Sequence, residues 1–153
     1  MENKKKIFEQ VMPKAVLRAI TAEAAEAVPQ TQRIGELVAI RSFPFRIGRE
    51  SRIRRVDGRI ERIERQKPEL RGPNNDLYLV DKGKLLNISR EHLQIEKNGD
   101  GYKLVDRGSA CGITIGGTSV GGADSGARIS LRDGDIFGIG TTGTPYLYAF
   151  IVL

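Results

Sequence analysis

The sequence predicts an all-β fold, a sandwich or a barrel, from residue 33 onward. Three observations carry that expectation. Short apolar runs of strand length are separated by Gly, Asp, Asn and Pro. The runs are rich in β-branched and aromatic residues, which suit a pleated, half-buried surface. No stretch past residue 33 holds ten clean residues of helical period. The 18 glycines and two methionines of the 153-residue chain agree, since they favour turns over helices.

The first 32 residues read differently. "PKAVLRAITAEAAEAV" is rich in helix formers, with Val16, Leu17, Ile20, Ala24, Ala27 and Val28 at spacings of three and four. Pro13 suits a first helical position and Pro29 ends the pattern, so one short amphipathic helix is expected between them. Residues 1–32 are therefore expected to form a helical or flexible segment and residues 33–153 the β-domain. Strands are expected over "ELVAIRSF", "FRIG", "DLYLV", "LLNI", "HLQIEK", "YKLVD", "GITIG", "ARISL", "DIFGIG" and "PYLYAFIVL". Asn98-Gly99-Asp100-Gly101 is turn chemistry joining two of them. "RIRRVDGRIERI" favours a hairpin about Asp57-Gly58, although Ile60 with Ile63 and Glu61 with Arg65 also fit a helix. "QKPELRGPNN" reads as a loop.

Bulk properties narrow the function. A single cysteine, Cys111, rules out an intrachain disulfide and a multi-Cys zinc site, so a reducing, cytoplasmic setting is expected. No apolar run reaches the roughly 18 residues of a membrane span. The lysines at 4–6 precede an apolar stretch broken by Glu9, Gln10, Pro13 and Lys14, unlike a signal peptide. The formal net charge is +6, and residues 46–71 hold ten Arg or Lys against five Asp or Glu. A basic stretch of this kind attracts acidic or phosphorylated partners, or is simply a solvated loop.

Three candidate sites follow from the residues. The sole histidine, His92, stands three positions after Ser89, a spacing that suggests a nucleophile and its base. Hydrolysis also needs a group to orient the imidazole and donors for an oxyanion, and no "GxSxG" elbow is present. A buried, hydrogen-bonded structural histidine is the better reading. "GIGTTGT" and "GGTSVGG" lack the GK[ST] ending of a phosphate-binding loop and read as turns, so no cofactor is expected. The third candidate joins separated loops. "FRIGR" sets Arg49 at a strand exit, and "NISREH" offers the Ser89 hydroxyl with the Arg90 guanidinium, a forked partner for phosphate oxygens.

Taken together, "FRIGR", "ISREHLQI", "YKLVDRGSACGITIGG" and "ISLRDGDIFGIG" resemble, in order and style, the forkhead-associated (FHA) domain over about residues 34–153. The resemblance implies a two-sheet β-sandwich of about eleven strands whose loops bind phosphothreonine peptides, without catalysis. On that resemblance Arg49, preceded by Gly48, holds the phosphate. Ser89 sets its hydroxyl on the phosphate, and Arg90 adds a second phosphate or backbone contact. His92 braces the loop, as do Asp106, Ser109 and Gly112. The family pattern D-x-S-x-N-G-T is broken here, because Ala110 and Cys111 stand for Thr or Ser and the Asn, and Ile113 for the Thr. That Asn holds the peptide backbone in the family, and a thiol does not reproduce an amide that both donates and accepts.

The expected function is a phosphothreonine-dependent protein-binding module, partnered by a phosphothreonine-containing protein. A rival is a degenerate scaffold that binds its partner without phosphate, supported by Ala110, Cys111 and Ile113. A nucleic-acid partner is disfavoured, since residues 46–71 offer no aromatic platform for bases.

Overall fold

The computed structural model describes residues 2–50, 53–56, 59–62, 74–83, 86–123 and 126–153. In chain order the N-terminal half has α1 (Glu2–Val11), β1 (Ala15–Ala19), α2 (Ala22–Ala27), a 3-10 turn (Gln30–Gln32), β2 (Leu37–Ile40) and β3 (Phe45–Arg49). Next come β4 (Ile53–Val56), β5 (Arg59–Arg62), β6 (Leu77–Leu79), β7 (Leu93–Asn98) and β8 (Gly101–Asp106). The chain closes with β9 (Ile113–Ile115), β10 (Thr118–Val120), β11 (Ala127–Leu131), β12 (Ile136–Ile139) and β13 (Leu147–Val152).

Eleven of these strands form two sheets, ordered β10-β9-β12-β13-β1-β2 and β11-β8-β7-β3-β6. Alternation explains the inner faces: Leu93 and Ile95 of β7 are buried while Gln94 and Glu96, which alternate with them, are not. Phe45 and Ile47 of β3 repeat the pattern. The core is completed by Leu17, Ile40, Leu104, Phe137, Tyr148 and Phe150, each at most 1% exposed. Tyr102 packs edge-on against Phe150, with ring centroids 5.0 Å apart. The β7–β8 hairpin pairs Asn98 with Gly101, as the turn residues predict.

The N-terminal segment departs from expectation. The single helix expected between Pro13 and Pro29 is instead a strand followed by a helix. Residues Ala15, Val16 and Leu17 are all buried in β1, which lies between β13 and β2 and pairs with both. Pairing on both sides overrides local helix propensity. Helix α2 is capped by Thr21, whose hydroxyl oxygen accepts the Ala24 amide at 3.1 Å. Its Ala24 carbonyl accepts the Tyr148 hydroxyl at 2.8 Å, and its Ala27 carbonyl accepts the Val80 amide at 2.9 Å. The segment before residue 33 is thus tied into the sandwich. Helix α1, by contrast, leaves Ile7, Phe8 and Val11 exposed.

Two further differences are local. Leu86–Ile88 of the expected "LLNI" strand are not strand, because the Asp81 carboxylate takes the amides of Asn87 and Ile88 at 2.7 and 3.0 Å. Residue 85 lies outside the described residues. Strand β10 is additional. The basic stretch does hold a hairpin, since β4 and β5 pair antiparallel with Val56 opposite Arg59; Asp57 and Gly58 themselves lie outside the described residues. No helix among the described residues is long and apolar enough to cross a membrane.

Candidate functional site

Three loop segments meet where β3 ends, where β7 begins and where β8 leads to β9. Gly48 and Arg49 close β3, and the Arg49 amide donates to the Ser89 carbonyl at 2.9 Å. That bond sets the residue carrying the guanidinium beside the residue carrying the hydroxyl, although they lie 40 positions apart in the chain (89 less 49). Gly48 is required by contact. A Cβ there would lie 2.0 Å from the Arg90 carbonyl oxygen and 2.6 Å from the Asn75 amide nitrogen. Arg90 is exposed, and its backbone rather than its side chain meets Gly48.

The third segment approaches from the β8–β9 connection. The Ala110 amide donates to the Ser89 hydroxyl oxygen at 3.0 Å, which leaves the hydroxyl proton free to be donated elsewhere. The connection is shaped by Asp106, whose two carboxylate oxygens take the amides of Ser109 at 3.1 Å and Gly122 at 3.0 Å. Buried Ser109 in turn accepts the Gly112 amide at 2.9 Å. Gly112 has φ +77, and a Cβ there would meet the Val120 carbonyl at 2.7 Å. Cys111 is half-buried, and its thiol donates to the Leu86 carbonyl at 3.6 Å. Ala110 is exposed and Ile113 is buried in the core.

His92 is fully buried behind these segments. Its Nδ1 accepts the Ser89 amide at 2.9 Å, so the neutral ring carries its proton on Nε2 and donates to the Gly112 carbonyl at 2.6 Å. Burial holds the imidazole below its ordinary 6.5, outweighing the Gly112 carbonyl and the Asp106 carboxylate, which both favour protonation. Both ring nitrogens therefore serve backbone groups, while the Ser89 hydroxyl is engaged by Ala110. The nucleophile-and-base pairing weighed from the sequence is not the arrangement formed. One imidazole instead clamps the Ser89 segment to the Gly112 segment.

Several contributing residues escape a reading of the sequence. Asn75, 3% exposed, donates to the Arg90 carbonyl at 2.7 Å and accepts from Arg107 at 2.6 Å. Asp81 gathers the amides of Gly83, Asn87 and Ile88 together with the Tyr146 hydroxyl at 2.7 Å. Burial pushes the Asp81 carboxyl up, but those hydrogen bonds together bring it below its ordinary value. Tyr146 is pushed up to about 12 by its burial and by that carboxylate. The available signal was an Asn pair and an Asp flanking a short apolar run, which reads equally well as loop composition.

A family model described as the FHA domain matches residues 45–140. The fold is similar to the FHA domain of the CT664 protein from Chlamydia trachomatis, with 18% identity over 91% of this chain and 97% of that one and a TM-score of 0.52. It is similar to Mycobacterium tuberculosis EmbR, solved in complex with a low affinity phosphopeptide, at 18% identity and a TM-score of 0.52. That match covers 99% of this chain but 29% of EmbR. A third similar structure is the kinase-interacting FHA domain of the kinase associated protein phosphatase of Arabidopsis, at 25% identity over 90% and 92% of the two chains, TM-score 0.51. No curated protein sequence matches the chain.

Proposed function

The chain belongs to the FHA domain family, and on that premise we propose that it is a non-catalytic module that binds a phosphothreonine-containing protein. The observation that carries this reading is the Arg49 amide to Ser89 carbonyl bond, which joins a guanidinium-bearing residue and a free hydroxyl proton at one half-buried loop cluster edged by exposed Arg90 and Ala110. A phosphate at pH 7 carries about −1.5 to −2 charges and three acceptor oxygens. Arg49 answers the charge with a forked donor, Ser89 supplies a hydroxyl, and exposed Arg90 extends the cationic rim. His92, Asp106, Ser109 and Gly112 hold the loops in register without touching the ligand.

EmbR was solved with a phosphopeptide, which is consistent with this assignment. The single cysteine suits action in the cytoplasm. The substitution of Cys111 for the family's Asn favours a second reading, in which the partner protein is bound without phosphate. The half-buried thiol gives its hydrogen bond to Leu86 and offers a peptide backbone little.

Screening the full chain against a randomised peptide library in phosphothreonine, phosphoserine and unmodified forms tests both readings. Selective retention of phosphothreonine peptides is expected. Equal retention of all three forms contradicts phosphate recognition and supports the second reading.

A further inference from the structure

We infer that Asn75 and Arg107 form a positioning pair that sets the Ser89-Arg90 segment against Arg49. The inference rests on the phosphate-binding reading of that site and deepens it.

The Asn75 side chain uses both ends. Its nitrogen donates to the Arg90 carbonyl at 2.7 Å, and its oxygen accepts from Arg107 Nη1 at 2.6 Å. Arg107 spans a wider gap, because its Nη2 donates to the Asn74 carbonyl at 3.1 Å and its own amide donates to the His92 carbonyl at 2.9 Å. Its charge lies beside the Glu91 carboxylate at 4.0 Å, with both side chains largely buried. Asn75 also fills the space above Gly48, where a Cβ would meet its amide at 2.6 and 2.7 Å. The start of β6, the end of β8 and the Arg90 carbonyl are thus locked together over the backbone of β3 that presents Arg49.

The chemistry at position 75 is narrow. Donating to a carbonyl while accepting from a guanidinium needs both functions in one side chain, and an amide carries them on two separate atoms. Asn75→Asp keeps an acceptor for Arg107 but sets a carboxylate oxygen against the Arg90 carbonyl, which forces the segment away. Buried Asn75 and the Arg107 guanidinium are spent on protein groups. Their action passes through Ser89 and Arg90.

The test uses the full chain with Asn75→Asp, Arg107→Met and Arg107→Lys. Leu131→Ala serves as a control that empties core volume under β11, away from these loops. Three quantities are read: melting temperature, affinity for a phosphothreonine peptide, and hydrogen exchange of the Arg49 amide, which is bonded to Ser89. Asn75→Asp should speed that exchange and weaken the phosphopeptide about tenfold, the upper end of the range for one neutral hydrogen bond. Arg107→Met should do likewise, with Arg107→Lys recovering part of the affinity through an ammonium that keeps the charge but lacks the fork. Leu131→Ala should lower the melting temperature and leave affinity unchanged. Equal loss of affinity in Leu131→Ala at the same loss of melting temperature would reduce the pair to general stability and overturn the inference. If the wild type binds no phosphorylated peptide, the functional reading fails, and exchange alone judges the pair. Unchanged Arg49 protection in Asn75→Asp then overturns it.

Discussion

Replacing His92 by alanine removes two hydrogen bonds from a fully buried ring and should show a definite pH signature. The Ser89 amide loses its 2.9 Å acceptor. The Gly112 carbonyl loses the 2.6 Å bond from Nε2 but keeps the Gly140 amide at 2.9 Å, so one group is orphaned rather than two. An orphaned group costs about 1–3 kcal/mol, and the ring-sized void adds to it, for a total of about 2–4 kcal/mol at pH 7.5. Burial lowers the folded-state value of His92 below 6.5, so between that lowered value and 6.5 the unfolded chain binds the extra proton. The ring's contribution is complete above pH 6.5 and declines as pH falls below it, by at most about 1.4 kcal/mol per unit for one proton. Urea unfolding of wild type and His92→Ala at pH 7.5, 6.5 and 5.5 should therefore show a gap that narrows with acid. A gap that stays constant or widens, or a mutant as stable as wild type at pH 7.5, refutes the argument that a neutral imidazole holds these loops.

Deleting residues 1–31 should abolish cooperative unfolding, because β1 is paired on both sides and Ala15, Val16 and Leu17 are buried; deleting residues 1–12 should preserve the thermal transition followed by circular dichroism. Gly48→Ala should cost about 2–4 kcal/mol in denaturant unfolding, since its methyl would sit 2.0 Å from the Arg90 carbonyl, and it should weaken any ligand of the Ser89 segment. Wild-type stability in Gly48→Ala would contradict that close approach. Cys111→Asn should tighten phosphopeptide binding about 2- to 13-fold, from one recovered hydrogen bond of about 0.5–1.5 kcal/mol. Calorimetry with one phosphothreonine peptide decides it, and no gain means the partner is gripped by another surface.

The sequence carried the inner sheets well, because alternation in "HLQIEK" and the turn residues after it are local signals that tertiary packing reinforces. It misled at Ala15–Ala19. A strand buried at three successive positions has no period of two, and the flanking alanines supplied a helical one. Its true partners, Leu147–Val152 and Leu37–Ile40, are visible only once the sheet is assembled. "LLNI" failed for a different reason, since Asp81 diverts the amides a ladder would use, and no propensity scale records a side chain acting as a strand. At the site, Arg49 and Ser89 stand out in short motifs, and the structure brings them together. Asn75 and Arg107 were hidden because their importance lies in which carbonyl and which guanidinium they meet. Composition alone gives an asparagine in a loop and an arginine after a strand.

The central claim is that Arg49 grips a phosphate on a partner protein, and one titration addresses it most directly. Wild type and Arg49→Ala are each titrated calorimetrically with a phosphothreonine peptide recovered from the library and with its unphosphorylated form. Wild type should bind only the phosphorylated peptide. Arg49→Ala should unfold cooperatively like wild type yet bind about 30- to 1000-fold more weakly, the equivalent of about 2–4 kcal/mol for one bidentate charge-assisted contact. Unchanged affinity in a well-folded Arg49→Ala, or equal wild-type affinity for the two peptides, would contradict the assignment.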